Sequence, residues 1–423
     1  METVVLLAVL AVLLLMRVPV AIALAISALL VLPSQNYGYE SAVTDLFNGL
    51  NNISLMAIPG FVFAGILMAR GGISKYLIEC LRSWIGHIPG GMAVVCILAC
   101  AIFASISGSS PATAAAIGSI MIPGMVQAGY SKKYAIGLVA VSGTLGILIP
   151  PSITLIIYGY VAEQKASIGK LFTAGILPGL FFTFTLVVSA ILYAKRNKFG
   201  SLPKASWQER WTSTVKALPA AIMPMFILGS IYSGIVTPTE AAVLSCLYAC
   251  IVSVFVYKEI TWRSWRPIFT ETVNLTAMIF LVIAAATLFK QYLTLSQVPQ
   301  QAMQWIAETE MNKYVFLLLV NLLFLILGAF LESVSIVLLT LPILLPMLTT
   351  LGIDVYHFAI IMTINMEIAM ITPPVGLNLF VVSGIAKEPF EKTVAAVMPF
   401  LWIMLLNLVI VALWPGLSLY LIQ

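Results

Sequence analysis

Charged residues are scarce in this sequence, and that scarcity decides its class. Only 9% of the 423 residues are Asp, Glu, Lys or Arg, whereas 61% are hydrophobic, and the mean hydropathy is +1.08. Soluble domains carry about 25% charged residues. The composition therefore predicts an all-α polytopic membrane protein whose partners include the lipid bilayer and no nucleic acid.

The residue patterns of common catalytic and metal sites are also missing. Five Cys form no C-x-x-C pair, two His cannot build a His-rich site, and no H-E-x-x-H, G-x-S-x-G or Walker A motif occurs. An intramembrane enzyme would need a His-supported nucleophile or paired aspartates, so we expect no enzymatic activity. We expect the cysteines to be small packing residues.

Apolar segments of about 20 residues, enough to span a bilayer, recur along the chain. The first run continues past Arg17 to Leu32 without an A-x-A-like cleavage site, which favours an anchor helix over a cleaved signal. We divide the chain into an N-terminal anchor helix, a first repeat, a cytoplasmic loop with central helices, and a second repeat. Their predicted ranges are 1–45, 46–194, 195–266 and 267–423.

Lys and Arg set the predicted orientation. The loop 195–216 carries six of them and the loop 258–266 carries three, so both loops are predicted to be cytoplasmic. Tracing the crossings from these loops places Arg70, Lys132 and Lys387 on the same side. The same trace predicts a periplasmic C-terminus.

A shift of 223 positions aligns the two halves of the chain. It places Pro150-Pro151 on Pro373-Pro374 and Ser110 on Ser333. Each half shows a crossing, an amphipathic connector, paired short apolar segments, a broken helix and a crossing, and the charge pattern starts the halves on opposite sides. Inverted repeats are therefore predicted, as in many secondary transporters, whose sites lie on discontinuous helices near the bilayer midplane.

The paired segments 91–129 and 314–351 are predicted to be re-entrant helical hairpins. Their turns should fall at Ser107–Pro111 and Leu331–Ser335, here called tip one and tip two. Segments 134–162 and 355–386 are the predicted broken helices. Polar turns would then meet helix breaks at mid-depth, where irregular backbone is tolerated only if it lines a polar cavity.

Neutral oxygens are concentrated at tip one and at the first helix break. Tip one carries serine hydroxyls, and the ring nitrogens of Pro150 and Pro151 cannot donate the bonds that would occupy nearby carbonyls. Such oxygens, at the negative end of a half-helix, suit a hard monovalent cation. We favour a sodium site over the alternative, a flexible kink packed by small residues.

Donor side chains between the two tips form the predicted substrate site. Half-helix N-termini favour an anion there, although no Arg lies within these motifs. The candidate donors are Ser109, Ser110, Thr113, Thr154, Ser335 and Asn378.

Three acids lie in apolar surroundings, where acidic residues are generally functional. Glu240 follows Thr237-Pro238-Thr239, which favours a helix start. Glu332 and Glu367 remain open between cation binding, proton transfer and capping of a helix break. They support an alternative function, a stand-alone proton- or sodium-coupled anion transporter.

Five motifs in order resemble the large membrane subunit of tripartite ATP-independent periplasmic (TRAP) transporters, the DctM type. They are Ser107–Gly118, Gly146–Ile153, Ala174–Gly179, Thr237–Ala242 and Thr372–Asn378, and the resemblance runs from about Val4 to Leu417. It implies a bacterial inner-membrane transporter for sodium-coupled uptake of an organic acid such as a C4-dicarboxylate or sialic acid. The implied partners are a periplasmic binding protein of the DctP type and a separate four-helix small subunit of the DctQ type.

The resemblance further implies an elevator architecture. The scaffold would include the anchor helix and 171–257, the transport domain roughly 91–162 and 314–386, and the connectors 70–90 and 291–313 would be arms between them. Two or more sodium sites are implied. The tip-one ligands would be Ser105, Ser109 and the carbonyls of Gly146, Ile149 and Pro151, and the mapped tip-two ligands would be Gly328, Ala369, Thr372 and Val375. Glu332 departs from the Asp expected at tip two.

Overall fold

The chain folds into helices joined by short turns. The computed structural model describes residues 2–16, 18–35, 37–197, 199 and 202–422, and these residues contain no strand. Eight of the described helical segments are long and apolar enough to cross a membrane. The predicted all-α membrane class is confirmed. Two residues used in the sequence analysis, Arg17 in the anchor and Lys198 in the basic loop, lie outside the described residues.

The α-helices in chain order are α1 (Glu2–Leu15), α2 (Val20–Val31), α3 (Tyr39–Leu50), α4 (Ala57–Arg70), α5 (Ile73–Ile85), α6 (Gly91–Ser107), α7 (Ser110–Gln127), α8 (Lys132–Leu148), α9 (Ile153–Ala162), α10 (Ile168–Asn197), α11 (Trp207–Tyr232), α12 (Pro238–Cys250), α13 (Trp262–Leu295), α14 (Val298–Glu308), α15 (Lys313–Gly328), α16 (Ser333–Thr350), α17 (Val355–Ala369), α18 (Leu377–Ala386), α19 (Phe390–Leu413) and α20 (Gly416–Leu419). Short 3₁₀ turns cover Leu32–Gln35, Ile53–Met56 and Glu163–Lys165, and a π-helical turn covers Ile251–Val256.

The N-terminal apolar run, predicted as an anchor segment, folds back on itself as two helices. A proline inside a helix removes a backbone hydrogen bond, and α2 begins only after Pro19. Gln35 Nε2 donates to Glu2 Oε2 at 2.5 Å, so the end of α2 returns to the start of α1. At 14 and 12 residues, both helices are shorter than the roughly 20 residues that span a bilayer.

The predicted inverted repeat is visible in the helix bounds and directions. The bounds of α7 and α16 differ by the predicted shift at both ends, and each broken helix is interrupted at its Pro-Pro pair. Lys132, at the start of α8, pairs with Glu388, just beyond α18, at 2.8 Å. Tyr158 Oη, near the end of α9, donates to the carbonyl of Val355, at the start of α17, at 2.8 Å. The two broken helices therefore run in opposite directions.

The helices pack in two groups. Helices α1–α4 pack with α11–α13, and α6–α10 pack with α15–α19. The amphipathic helix α5 contacts both α6 and α11, and α14 contacts both α13 and α16, so each connects the two groups. We call the first the outer group and the second the hairpin group.

Helix α10 lies in the hairpin group, although the resemblance placed 171–194 with the scaffold. It packs on α6, α8 and α17. Its glycines allow this approach, because a Cβ at Gly175 would lie 2.9 Å from the Leu148 carbonyl oxygen and one at Gly179 would lie 2.8 Å from Ile149 Cγ1. Small residues let helices approach closely in membranes.

The loops predicted to share one side of the membrane meet at one end of the molecule. Arg70 pairs with Glu271 at 2.7 Å and Lys75 with Glu259 at 3.6 Å. The backbone N–H of Leu202, in the basic loop, donates to the Gly86 carbonyl at 3.0 Å. We call this the base-rich end.

Candidate functional site

Tip one rests with its backbone on the first helix break. Gly108, at φ 59°, ends α6, and its carbonyl accepts the Ile153 N–H at 3.4 Å. A Cβ at Gly108 would lie 2.8 Å from the Pro151 carbonyl oxygen, and one at Gly146 would lie 2.6 Å from that of Ser109. Only glycine permits such contacts, so the predicted turn at Ser107–Pro111 and the break at Ile149–Ser152 form one joint.

Tip two meets the second break in a similar way. The turn between α15 and α16 covers Ala329–Glu332, two residues before the predicted Leu331–Ser335. The Ala329 carbonyl accepts the Val375 N–H at 3.2 Å. A Cβ at Gly328 would lie 2.2 Å from the Ala369 Cβ. This second joint repeats the first.

Both tips converge on two consecutive residues of the first broken helix. Ile153 donates its N–H to tip one, and the Thr154 hydroxyl donates to the Ser333 hydroxyl of tip two at 3.4 Å. Helix α9 packs along α16, and α18 packs along α7. The structure thus joins tip one, the first break and tip two in a single line of contacts.

The first joint offers several neutral oxygens. The Gly146 carbonyl lacks its helical donor because the fourth residue onward is Pro150, whereas the Ile147 carbonyl accepts the Ser152 hydroxyl at 2.6 Å. Within the described chain, the carbonyls of Ile149 and Pro151 also accept no hydrogen bond. The Ser105 hydroxyl donates to the Ile102 carbonyl at 2.7 Å and keeps lone pairs on its oxygen. These groups fit a monovalent cation.

The second joint offers a similar set, including the Thr372 hydroxyl, which donates to the Ile368 carbonyl at 2.6 Å and keeps lone pairs on its oxygen. The Ala369 carbonyl already accepts the Thr372 N–H at 3.1 Å. The carbonyls of Gly328, Thr372 and Val375 accept no hydrogen bond from any described residue. Nowhere in the described ranges do three or more His, Cys, Asp or Glu gather into a metal-binding group. Neutral oxygens are therefore the donors at the first joint, whereas the turn of the second also carries the Glu332 carboxyl.

The predicted substrate donors fall into three places. The first place is tip one and the first turn of α7, which carry Ser109, Ser110 and Thr113. There the Thr113 hydroxyl donates to the Ser109 carbonyl at 2.8 Å. Thr154 and Ser335 lie where α9 meets α16. Asn378 Nδ2 donates to the Ala140 carbonyl at 3.1 Å, which fastens α18 to α8. Within the described residues, no hydrogen bond joins one of these six side chains to one in another of the three places.

Three of these donors keep a buried polar atom without a protein partner. They are the hydroxyls of Ser110 and Ser335 and the Oδ1 atom of Asn378, as far as the described residues extend. Most buried polar groups in folded proteins are hydrogen-bonded, so an unpaired one calls for an explanation. A polar atom of a bound molecule could satisfy each of them.

The three acids occupy different environments. Glu240 accepts the Thr237 N–H at 2.7 Å in a capping box, which confirms the helix-start interpretation. Glu332 occupies the position before α16 and makes no side-chain cap bond there. Glu367 is fully buried in α17, and neither carboxylate oxygen has a partner among the described residues. The roles of Glu332 and Glu367 remain predictions.

Sequence analysis missed two polar contacts and one close approach. Asn365 Nδ2 donates to Asn321 Oδ1, which ties α17 to α15. Lys290 Nζ donates to Glu163 Oε1 at 2.7 Å. A Cβ at Gly65 would lie 3.0 Å from the Ser107 Cα, so α4 reaches tip one. An asparagine in an apolar helix was a usable signal, whereas the other two depend on tertiary packing.

The chain is similar throughout its length to one protein family. Residues 7–417 match the family model described as "Tripartite ATP-independent periplasmic transporter, DctM component". The chain is 43% identical over 380 residues to the C4-dicarboxylate TRAP transporter large permease protein DctM of Pseudomonas aeruginosa, covering 90% of this chain and 88% of that protein. It is 38% identical over 384 residues to the sialic acid TRAP transporter large permease protein SiaM of Vibrio cholerae, covering 91% and 90%.

A solved structure shares the fold. The Alcanivorax borkumensis YdaH transporter aligns with a TM-score of 0.66 at 16% sequence identity, covering 90% of this chain and 89% of that one. At this identity the likeness concerns the arrangement of helices alone.

Proposed function

The chain belongs to the DctM component family of tripartite ATP-independent periplasmic transporters, and from this membership we propose sodium-coupled uptake of an organic acid. As a large permease subunit it is a transporter component. The observation that carries the finer proposal is the convergence of both tips on Ile153 and Thr154, with unoccupied carbonyls at each joint.

Sodium at the two joints would supply positive charge beside an anionic substrate. Ser105, Ser109 and the carbonyls of Gly146, Ile149 and Pro151 would hold it at the first joint. Gly328, Ala369, Thr372 and Val375 would hold it at the second. Because each set draws oxygens from a tip and from a break, cation binding would fasten the hairpin to its broken helix.

The substrate class is a carboxylate. The relatives from Pseudomonas aeruginosa and Vibrio cholerae are named for C4-dicarboxylates and sialic acid, and both kinds of compound carry a carboxylate. The unpaired hydroxyls of Ser110 and Ser335 and the amide of Asn378 supply hydrogen-bonding atoms of the kind such a compound requires. Ser109, Thr113 and Thr154 complete the proposed set.

We assign an elevator movement to the two packing groups. The outer group would be the scaffold, and the hairpin group would carry the substrate. The amphipathic helices α5 and α14 contact both groups, as arms between a fixed and a moving body would. Re-entrant insertion of both hairpins belongs to the same proposal.

The partners and location follow from family membership. We propose a DctQ-type small membrane subunit as a separate chain, a DctP-type periplasmic binding protein, and residence in the bacterial inner membrane. The base-rich end would face the cytoplasm and the C-terminus the periplasm.

Uptake of labelled acids into proteoliposomes tests the proposal. The vesicles would contain this chain with its small subunit, with and without the binding protein, under an inward sodium or an inward proton gradient. Uptake that requires both sodium and the binding protein is expected. Uptake driven by protons, or indifferent to the binding protein, would favour the stand-alone transporter that uses Glu332 or Glu367.

A further inference from the structure

A cavity of about 210 Å³ lies between the outer group and the hairpin group. Its walls come from α9, α13, α16 and the turn before Ile53. The polar residues at its surface are Asn52, Tyr160, Glu163, Thr287 and Lys290. We call it the Lys290 cavity.

The cavity lies on the same two helices that meet at the tips. Thr154 of α9 contacts Ser333 of α16, and both helices run from that contact to the cavity wall. Tyr160 is six residues beyond Thr154, which corresponds to about 9 Å along an α-helix. The α16 residues Leu338 and Pro342 line the same wall. The cavity therefore lies on the same two helices as the proposed substrate site, on the side away from the base-rich end.

The positively charged residue of this cavity, Lys290, takes part in a weak ion pair. Lys290 Nζ lies 2.7 Å from Glu163 Oε1, and the two side chains are 44% and 67% exposed. Exposed ion pairs contribute only about 0–1 kcal/mol to stability. A second carboxylate can therefore replace that of Glu163 at little cost.

Neighbouring groups can complete a carboxylate site around Lys290. Asn52 Oδ1 accepts the Ser54 N–H at 2.9 Å, and the Asn52 amide nitrogen donates to no described residue. Thr287 lies one turn before Lys290 on α13 and lines the same wall, although its hydroxyl donates to the Ile283 carbonyl at 3.0 Å. Among the described residues that line the cavity, Glu163 is the only acid, so removing its carboxylate leaves a cationic pocket.

We propose that the Lys290 cavity binds a carboxylate of the anionic substrate before the substrate reaches the tips, with the substrate displacing Glu163 from Lys290. This inference rests on the proposed function and adds an entry site to it. A dicarboxylate gains more from this site than an acid with one carboxylate, because the second carboxylate remains available for the tips.

The opposing interpretation is that Lys290 and Glu163 only fasten α13 to α9. The two interpretations differ in the sign of one effect. If the pair is only a fastening, Lys290→Gln and Glu163→Gln both break it and act alike. If Lys290 binds the substrate, Lys290→Gln weakens binding, whereas Glu163→Gln removes a competitor and strengthens it.

The experiment measures ligand binding by calorimetry to the complex of this chain and its small subunit in lipid nanodiscs at fixed sodium. The probes are succinate, succinamate, in which one carboxylate is an amide, and N-acetylneuraminate. Lys290→Gln should raise the succinate Kd roughly tenfold, as expected for loss of a hydrogen bond to a charged group. Glu163→Gln should lower it, Lys290→Arg should restore it, and succinamate should respond less than succinate.

Lys170→Gln is the matched control, since Lys170 is exposed at the start of α10 and does not line the cavity. Equal shifts of the same sign in Lys290→Gln and Glu163→Gln, or an unchanged succinate Kd in both, would overturn the inference while wild-type uptake leaves the proposed function standing. A wild-type complex that neither binds nor takes up any of these acids would overturn both.

Discussion

At the residue scale, the absence of a side chain is what shapes the candidate site. Gly146 faces the backbone of tip one, where a Cβ would lie 2.6 Å from the Ser109 oxygen, 2.7 Å from its carbonyl carbon and 2.8 Å from the Ser110 nitrogen. Backbone atoms cannot move aside as the end of a flexible side chain can. The contact therefore depends on glycine.

We expect Gly146→Ala to lower the thermal unfolding temperature of the purified protein and to abolish sodium-dependent uptake. Overpacking of this kind costs about 1–3 kcal/mol. The control is Gly384→Ala in α18, where an added Cβ meets nothing within 4 Å. Equal unfolding temperatures for the two variants, with uptake retained in Gly146→Ala, would show that the backbone of tip one can shift to make room for a side chain.

Sequence reasoning predicted part of this residue-level site. The proline pair and the 223-residue shift identified Gly146 and Ala369 as equivalent carbonyl positions, and a capping motif explained Glu240. The pair of Lys290 with Glu163 joins residues 127 positions apart, so no local pattern pointed to it. Contacts of that kind depend on how helices pack and not on the spacing of residues within one helix.

At the scale of elements, each hairpin is held to its broken helix by the main chain. In the second joint the backbone N–H of Val375 donates to the Ala329 carbonyl at 3.2 Å. A disulfide needs Cα atoms about 4.4–6.8 Å apart, and a direct main-chain bond makes these two residues the natural pair to try. This permits a covalent test of the joint.

The double variant Ala329→Cys with Val375→Cys should form a disulfide on oxidation and stop uptake, and reduction should restore it. The physical reason is that a fixed joint cannot open to admit or release a cation. The change would be made in a background without the five native cysteines. Gel mobility after maleimide labelling reports the bond, and Ala329→Cys alone is the control. Undiminished uptake by the oxidised double variant would mean that this joint stays closed throughout transport.

The elements themselves were predicted unevenly. Both helix breaks followed from the proline pairs, and both helix pairs of the hairpins followed from paired short apolar segments. Hydropathy continues through Pro19 and does not register a reversal, so the sequence left open whether the N-terminal run crosses once or folds back. The packing of α10 against the hairpin group could not be predicted from composition. It depends on which side of α10 carries Gly175 and Gly179, because these glycines allow the close approach.

At the scale of the whole molecule, an ion pair joins two segments that are distant in sequence, the start of α8 and the turn after α18. Glu388 accepts from Lys132 at 2.8 Å and from Lys392 at 3.1 Å. The hydrogen bond from Lys132, and that from Lys392 after it, lowers the pKa of the Glu388 carboxyl below its ordinary value of 4.5. A lowered carboxyl pKa contributes stability above the unfolded-state pKa, and this stability is lost as pH falls through the folded-state pKa.

We therefore expect Glu388→Gln to lower the unfolding temperature at pH 7, and the difference from wild type to shrink as pH falls below 4.5. Unfolding scans of both proteins across pH, in one detergent, would measure it. Glu391→Gln, exposed and without an ion pair in the described structure, should show no such trend. A difference in unfolding temperature that stays constant down to acid pH would mean that the effect of Glu388 does not come from its charge.

Sodium should stabilise the whole molecule if both joints bind it. A ligand that binds only the folded state adds stability that grows with its concentration, about 2.7 kcal/mol at 100 times its Kd. The unfolding temperature should therefore rise with sodium chloride and not with equimolar potassium or choline chloride, and Gly146→Ala should weaken the rise. Identical dependence of the unfolding temperature on the three salts would contradict sodium binding at the joints.

The unequal halves of the broken helices have an electrical consequence. Helix α8 has 17 residues, and α18, which ends at the same end of the molecule, has 10. At about 1.5 Å per residue, the two breaks lie about 25 Å and 15 Å from that end, a stagger of about 10 Å. Across a hydrocarbon layer of about 30 Å, that stagger spans about a third of a transmembrane voltage. Moving one charge through the full drop is worth about 2.3 kcal/mol per 100 mV, so cations at the two breaks would differ by about 0.8 kcal/mol at that voltage. Membrane potential would thus bias the relative occupancy of the two joints.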